Sequence, residues 1–349
     1  MTSQNPLSTL QYFLSNTDGI YNLNVQEAPL APLKANEVLV RIHAVSLNYR
    51  DIAITSGHYP FQLKPNLVPC SDMAGEVVAI GEDVKCWKQG DRVCANFCMD
   101  HVFGDITPEH RKSVLGGAVD GVLARYRNFP AHSLVRVPDH LSYQEASTLP
   151  CAGVTAYNAL VGPVSPLKAG ETVLILGTGG VSMFGLQFAI ASGATVLVTS
   201  SSDEKLKVAE KMGAKFCINY VRTPEWDEEV LKLTGGWGVD HVLEVGGAGT
   251  LPKSMKSVRS GGWIHVIGVL TGPKQVDDIV NSMIGKASYM RGIGVGPRTQ
   301  FESMNRLISA QNLKPVVNRV FAFDEARQAF EYLKSQKHIG KVVIKVTDD

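Results

Sequence analysis

ETVLILGTGGVSMFGLQFAIASGATVLVTSSSDEKL, residues 171–206, reads as a strand, a glycine turn, a helix and a second strand. Gly177 permits a tight turn where the run TVLIL ends, and Gly179 lets the backbone approach a pyrophosphate. Gly180, Val181 and Ser182 open the helix, whose free N–H groups and positive dipole end favour an anion. Ser182 takes the third position of the three-glycine fingerprint, so the motif is imperfect, and a glycine-rich turn alone is often only a turn. The setting decides the reading. A buried-strand pattern precedes the turn, and a second strand ends about twenty residues later, where a ribose-reading residue is expected.

That second strand ends at Ser200. An acidic side chain there would bind the ribose 2′-hydroxyl of NAD and repel a 2′-phosphate. Ser200, Ser201 and Ser202 offer hydroxyls instead, with Lys205 a nearby cation, so NADPH is expected over NADH. The serines also suit the cap of a helix starting near Asp203, and Lys205 equally suits a solvated position. Tyr220, just past the next strand pattern KFCINY, either flanks the adenosine or marks a strand end.

Downstream, the apolar runs ATVLVT, HVLEV and WIHVIGV alternate with helix-length segments such as DEKLKVAEKMGA and PEWDEEVLKLTGG. This alternation predicts parallel strands with crossover helices. Gly246 with Gly247, and Gly268, follow two of these runs, at strand ends where open α/β sheets either bind ligands or simply turn. Upstream, from about residue 10 to 150, short runs such as EVLVRIHAVSL, AGEVVAIG, RVCANF and SLVRVP are separated by Gly, Pro and Asp, an all-β pattern. After about residue 295 come a helical stretch TQFESMNRLISAQN, a strand PVVNRVF, a helix DEARQAFEYLKSQ with Asp324 as expected N-cap, and a last strand KVVIKV.

Composition sets the outer bounds. A chain of 349 residues with 44% hydrophobic and 19% charged residues can bury a large core and suggests two domains. Its net charge of +1 gives no single-sign field, so neither nucleic acid nor a membrane surface is expected as a partner. No run approaches the roughly 20 apolar residues of a membrane span. The opening MTSQNPLSTLQYFLSN lacks a basic start with an apolar core, and a cytoplasmic location is expected. The six cysteines are then expected as free thiols.

Over nearly its whole length the chain resembles the medium-chain dehydrogenase/reductase superfamily. The segments that carry the likeness are AVSLNYRDIAITSGHYP, VPCSDMAGEVVAIGEDVKCWKQGDRV, LPCAGVTAYNAL, GTGGVSMFGLQFA, GVDHVLEVGG and HIGKVVIKV. Within the superfamily it is similar to the zinc-lacking, alcohol-dehydrogenase-like branch near the quinone and enoyl reductases. The resemblance implies an α/β protein: a GroES-like β-barrel catalytic domain from residues 1–153 and 297–349, and a Rossmann doubly wound parallel-sheet domain, residues 154–296, with the active site in the cleft between them. It also implies that the segment RGIGVG, residues 291–296, is an edge strand pairing across a two-fold axis, so a homodimer through the Rossmann domain is expected. The end of that strand, at Ile293, and Thr155 would lie beside the nicotinamide.

Zinc members of the family hold the catalytic metal with a Cys, a His and a second Cys, often with a neighbouring Glu. Carried over position by position, these become Asn48, Ser71 and Cys151, with Asp72 for the Glu. One thiol with hydroxyl and amide groups cannot make a tetrahedral zinc site. Only Cys94 and Cys98 fall where such relatives hold a structural zinc with four cysteines, so no metal is expected.

Loss of the metal removes the usual polariser of a carbonyl and favours acceptors in which negative charge spreads by conjugation. Aligned with enoyl thioester reductases of the family, Tyr59 falls on the tyrosine assigned as proton donor, and Asn48 on a polar residue near the nicotinamide. Tyr59 equally suits packing in its Gly-His-Tyr-Pro turn, and Tyr49, close to Asp51, is the alternative donor. Asp51 itself suits a hydrogen bond to loop backbone. Cys151 reads either as an activated thiol or as a small buried hydrophobe. The loop FCMDHVFGDITPEHRKSVLGGAVDG, with His101, His110 and Arg111, is expected to face water. The expected function is zinc-independent, NADPH-dependent hydride transfer to a small conjugated carbonyl compound of enone, enoyl or quinone type. A zinc-free alcohol or aldehyde oxidoreductase, and a non-catalytic NADPH-binding protein, are the alternatives.

Overall fold

Residues 171–206 supply two of the four inner strands of a six-stranded sheet in the computed structural model. Its order is Phe216–Asn219, Thr195–Ser200, Thr172–Leu176, Val239–Glu244, Val258–Val266 and Tyr289–Gly292, and every neighbouring pair is parallel. The chain starts inside the sheet, builds outward one way, then returns to build the other way. The reversal falls between Thr172–Leu176 and Val239–Glu244, the point at which doubly wound sheets bind ligands beyond their carboxyl ends. Crossover helices Gly180–Ala191, Asp203–Lys211 and Trp226–Leu233 follow the first three strands. Val173, Leu174, Ile175, Val196, Leu197 and Val242 are buried, as strands covered on both faces require.

The structure describes residues 6–272, 275–276 and 278–347. The chain divides into two compact units, Met1–Val154 with Gly296–Asp349, and Thr155–Val295. The parallel sheet belongs to the second unit.

In the first unit, the strand Glu37–Ser46 organises a seven-stranded sheet. One edge of it pairs along its length with Asp72–Ile80; the other is shared, with Tyr126–Pro130 on residues 37–41 and Lys341–Lys345 on residues 44–46. Register shifts at Leu39/Val40 and Ile42/Ala44 bend the strand, which lets two partners divide one edge. The sheet continues through Arg92–Ala95 to Leu134–Arg136 on one side and ends at Val317–Ala322 on the other. Among the described residues these strands do not close into the expected barrel, because the outermost strands are not paired with each other. Phe129, Ile42, Met73, Val77, Phe330 and Ile344 fill the core.

Three local expectations need correction. The all-β stretch contains the helix Tyr49–Thr55 and a π-type turn, Leu149–Gly153, that runs into the helix Val154–Leu160. Asp324 is not an N-cap: a 3-10 turn, Phe323–Glu325, precedes the helix Ala326–Lys334, and Glu325 turns back to accept the Ala322 N–H at 2.9 Å. The edge strand is Tyr289–Gly292, not residues 291–296. Beyond it the Ile293 N–H still reaches the Val266 carbonyl at 2.9 Å, and left-handed Val295 (φ 60°) then turns the chain away. The segment 271–286 lies partly outside the described residues, and Ile279–Lys286 within it is a helix.

Candidate active site

The glycine turn has the shape its sequence predicts. Gly177 sits at φ 71°, a left-handed conformation that other residues rarely adopt, and a Cβ at Gly179 would meet nothing within 4 Å. Gly179 caps the helix Gly180–Ala191 without a side-chain hydrogen bond, so the first N–H groups, at Gly180, Val181 and Ser182, are open to an anion. Ser182 is buried and donates its hydroxyl to the Leu176 carbonyl at 2.8 Å, stapling helix to strand. The close helix-to-strand approach expected of a third glycine is made one turn later, at Gly185, where a Cβ would stand 2.4 Å from Leu243 Cδ2.

Ser200 is buried at the end of its strand, and Tyr220, 42% exposed, donates its N–H to the Ser200 carbonyl at 3.1 Å. The structure therefore brings Ser200, Ser201 and Tyr220 together, with Lys205 one helical turn away. Ser202 is the N-cap of Asp203–Lys211, accepting the Lys205 N–H at 3.4 Å. Partial burial pulls the Lys205 ammonium below its ordinary value. Sequence reasoning missed Arg222, two residues past Tyr220, which meets Asp203 Oδ1 at 2.7 Å while Asn219 Nδ2 donates to the same oxygen at 2.8 Å. Asp203 is thus already paired, and the second acid next to the serines, Glu204, accepts the Ser202 hydroxyl at 2.8 Å.

At the neighbouring strand end, buried Glu244 organises the turn through Gly246 and Gly247. Its Oε1 accepts the Gly246 and Gly247 N–H groups at 2.8 and 2.9 Å and the Thr250 hydroxyl at 2.6 Å, and its Oε2 accepts the Ser254 hydroxyl at 2.5 Å. Gly268 packs so closely that a Cβ would lie 2.1 Å from the Val245 carbonyl. Thr155 is buried near the start of Val154–Leu160, and Asn158 on that helix donates to the Val295 carbonyl at 2.6 Å and meets Arg291 at 3.0 Å. Thr155 and the segment holding Ile293 are thereby anchored to each other.

In the first unit, Asn48, Ser71, Asp72 and Cys151 form one hydrogen-bonded cluster with a residue that sequence reasoning missed, Lys341. Asp72 Oδ1 accepts the Ser71 hydroxyl at 2.6 Å and its Oδ2 the Cys151 N–H at 3.0 Å. Lys341 Nζ donates to Asn48 Oδ1 at 2.5 Å and to the Leu47 carbonyl at 2.6 Å. Asp51 caps its own helix, accepting the Asn48 N–H at 2.7 Å, the backbone role its sequence position suggested. Burial pushes the Asp51 carboxyl up to about 6, against the pull of Arg50. It also raises Asp72, against the opposing Lys341, and pushes the Cys151 thiol far up, so Cys151 is an inert thiol here. Cys70, left-handed at φ 69° and fully buried, leads into Ser71 and Asp72.

The two tyrosines have contacts of their own. Tyr59 lies under the Arg50 guanidinium, 5.1 Å from the ring centre, and makes an edge contact with Phe61. Arg50 in turn donates to the Leu115 and Gly116 carbonyls at 3.0 and 2.9 Å. Tyr49 is the first residue of its helix and is 44% exposed. In the loop 97–121, His101 is buried rather than turned to water, bonded to the Gly104 carbonyl at 2.9 Å and stacked on His110, whereas Arg111 is exposed.

Residues 34–139 match the family model of the alcohol dehydrogenase GroES-like domain, and residues 180–310 match that of the zinc-binding dehydrogenases. The chain is 47% identical over 318 residues to a zinc-type alcohol dehydrogenase-like protein of Schizosaccharomyces pombe, covering 90% of this chain and 92% of that one. This chain is a medium-chain dehydrogenase/reductase. As such it is an NAD(P)-dependent oxidoreductase. Among solved structures, this dehydrogenase/reductase is similar to an alcohol dehydrogenase-type protein of Sinorhizobium meliloti 1021, with a TM-score of 0.90 and 39% identity over 98% of this chain and all of the other. It is also similar to the 2-octenoyl-CoA carboxylase reductase CinF, solved with NADP and 2-octenoyl-CoA, with a TM-score of 0.86 and 25% identity over 98% of this chain and 88% of that one.

The residues of this dehydrogenase/reductase fit a nicotinamide cofactor: an uncapped helix start behind an open glycine turn lies at the reversal point of the sheet. They do not fit catalytic zinc. Of the three matched ligand positions only Cys151 carries a metal-binding side chain, the Ser71 hydroxyl is spent on Asp72, and the Asn48 oxygen already holds an ammonium. Those positions also lie outside the residues matched by the zinc-binding dehydrogenase model. Among the described residues no helix is long and apolar enough to cross a membrane.

Proposed function

We propose that this dehydrogenase/reductase is a zinc-independent, NADPH-dependent reductase of conjugated carbonyl compounds of the enone, enoyl or quinone type. The observation that carries the proposal is the cluster of Asn48, Ser71, Asp72, Cys151 and Lys341, in which hydrogen bonds stand where zinc relatives place metal ligands. When bound, the cofactor supplies a hydride to the electrophilic carbon. Without a Lewis acid, negative charge on the oxygen has to be met by hydrogen-bond donors, and conjugation lowers what they must stabilise. Asn48 is the proposed donor and Tyr59 the proposed proton source, with Tyr49 the alternative.

The preference for NADPH rests on Ser200 and Ser201, which place hydroxyls where an acid would repel a 2′-phosphate, on Lys205 and Tyr220 beside them, and on Arg222, which neutralises Asp203. Gly177, Gly179, Gly180, Val181 and Ser182 are proposed to hold the pyrophosphate, and Thr155, Gly246, Gly268 and Ile293 the nicotinamide end. A homodimer formed through the edge strand Tyr289–Gly292 and a cytoplasmic location complete the reading, with small molecules rather than nucleic acid or membrane as partners. The alcohol dehydrogenase-type relatives favour a second reading, a zinc-free alcohol or aldehyde oxidoreductase.

One preparation tests both. NADPH and NADH are titrated in metal-free buffer, bound zinc is measured, and NADPH oxidation is followed with enones, quinones and aldehydes. Tighter NADPH binding, no stoichiometric zinc and turnover of conjugated acceptors are expected. Stoichiometric zinc overturns the metal-free reading, turnover of simple aldehydes alone transfers it to the second, and NADPH binding without any turnover leaves a binding protein.

A further inference from the structure

Arg50, in the first turn of the helix Tyr49–Thr55, is held from several sides. Its Nη1 and Nη2 donate to the Leu115 and Gly116 carbonyls at 3.0 and 2.9 Å. Gly117 leaves it room, since a Cβ there would stand 2.4 Å from Nη2. The guanidinium lies 5.1 Å from the Tyr59 ring centre and 4.9 Å from that of Phe97. Tyr59 meets Phe61 edge-on with ring centres 5.4 Å apart, and Phe61, itself exposed, lies 5.6 Å from the exposed Arg111 guanidinium. Phe97, Arg50, Tyr59, Phe61 and Arg111 thus form one row running from the core to the surface, with two cations interleaved among three rings. Burial pushes the Cys98 thiol up to about 12 against the pull of both guanidinium groups, so their fields overlap.

The acids around this row are committed elsewhere. In the loop 97–121, Asp100 meets His132 at 2.9 Å, Glu109 meets Lys112 at 2.7 Å and Asp120 meets Lys64 at 3.0 Å, while Asp105 lies by His101. Asp51, beside Arg50 in the chain, accepts the Asn48 N–H and feels Arg50 only as a field. Among the described residues neither Arg50 nor Arg111 makes an ion pair with a carboxylate, and Arg50 Nε is buried without a partner. Two such guanidinium groups give a positive potential that neighbouring rings do not cancel as an acid would. The rings themselves favour a flat conjugated molecule by stacking. We infer that this row is the acceptor-recognition surface, and that it selects planar conjugated carbonyl compounds bearing an anionic substituent, a carboxylate or sulfonate on the conjugated system. This rests on the proposed reduction of conjugated carbonyl compounds, with Tyr59 as proton source in the middle of the row. Arg111 supplies the exposed cation for the anionic group. Arg50 fixes the Tyr59 ring and adds a second positive charge behind it.

The test compares NADPH oxidation with 1,4-naphthoquinone-2-sulfonate and with neutral 1,4-naphthoquinone, read as the ratio of their kcat/KM values so that general losses of activity cancel. Arg111→Ala should lower the ratio about fivefold, the scale of one exposed charge, and Arg111→Glu should lower it further. Arg111→Lys keeps most of it. Arg50→Gln should lower the ratio about tenfold, and Arg50→Lys, which keeps the charge but not the planar fork, should lower it less. Raising NaCl from about 20 to about 300 mM should depress the native ratio more than that of Arg111→Glu. If Arg50→Gln does not fold by circular dichroism, Arg50→Lys replaces it. A ratio within about twofold of native both in Arg111→Glu and in the Arg50 variant that folds overturns the inference. If the native protein turns over neither quinone, the proposed function fails on these acceptors, and calorimetric titration of the NADP-loaded protein with the sulfonate decides the inference separately. Binding that weakens in Arg111→Glu supports it, and binding that is unchanged or absent overturns it.

Discussion

At the scale of single residues, burial gives ordinary side chains unusual properties. Asp51 is 1% exposed, and its carboxyl is raised to about 6, chiefly by desolvation. A carboxyl whose native value exceeds its unfolded one adds stability below the ordinary carboxylate range, and that contribution is lost as pH rises through about 6. Asp51→Asn keeps an oxygen for the Asn48 N–H and does not titrate. Measured by urea denaturation, the variant should therefore gain on the native protein between pH 4 and pH 7, levelling at an advantage of up to roughly 3 kcal/mol. A difference that stays flat with pH would show that Asp51 ionises normally. That Asp51 binds backbone was legible in the sequence, because a short acid in a turn readily does so, but the helix whose start it caps was not. Lys341 was not, because a lysine in a string reads as a surface residue until a fold closes around it.

At the scale of elements, the strand–turn–helix of residues 172–191 shows how one motif divides its duties. Gly177 and Gly179 serve the turn, Ser182 ties the helix back to Leu176, and Gly185 allows the helix to lie against Leu243. Gly185→Val forces a branched side chain into that contact and should cost about 1–3 kcal/mol, the usual range for overpacking. Ser182→Ala removes one buried hydrogen bond and should cost about 1 kcal/mol. Thermal unfolding orders the two, and NADPH titration should show the larger loss of affinity in Gly185→Val, whose helix start is displaced. Equal NADPH affinities in the two variants would mean that the helix start does not bind the phosphates. The turn at Gly246 and Gly247 is governed instead by Glu244, which the sequence presented only as one polar residue in an apolar run. Its four donors come from a loop and a helix that follow it, and their convergence is a product of the folded turn.

At the scale of the whole molecule, the parallel sheet ends in an edge strand, Tyr289–Gly292, with apolar side chains nearby. Tyr289 is 52% exposed, and Val280 and Ile284, one turn apart on the helix Ile279–Lys286, are 70% and 73% exposed. An unpaired edge beside exposed apolar residues is suited to a second copy of the chain. Val280→Asp combined with Ile284→Asp is expected to convert a dimer into a monomer by light scattering, with NADPH binding retained. A native protein that is already monomeric removes this part of the proposal. By itself the sequence determined the alternation of strands and helices from residue 171 to 266, the glycine turn and the serine-ended second strand, because each is written in contiguous residues through periodicity, backbone freedom and capping. Only the tertiary structure decided that the strand Glu37–Ser46 shares one edge between two partners, that Gly185 makes the closest helix contact, and that Lys341 reaches Asn48 across 293 positions of chain. Those contacts join distant segments, and their strength comes from excluding water around polar groups, a property that no local run of residues carries.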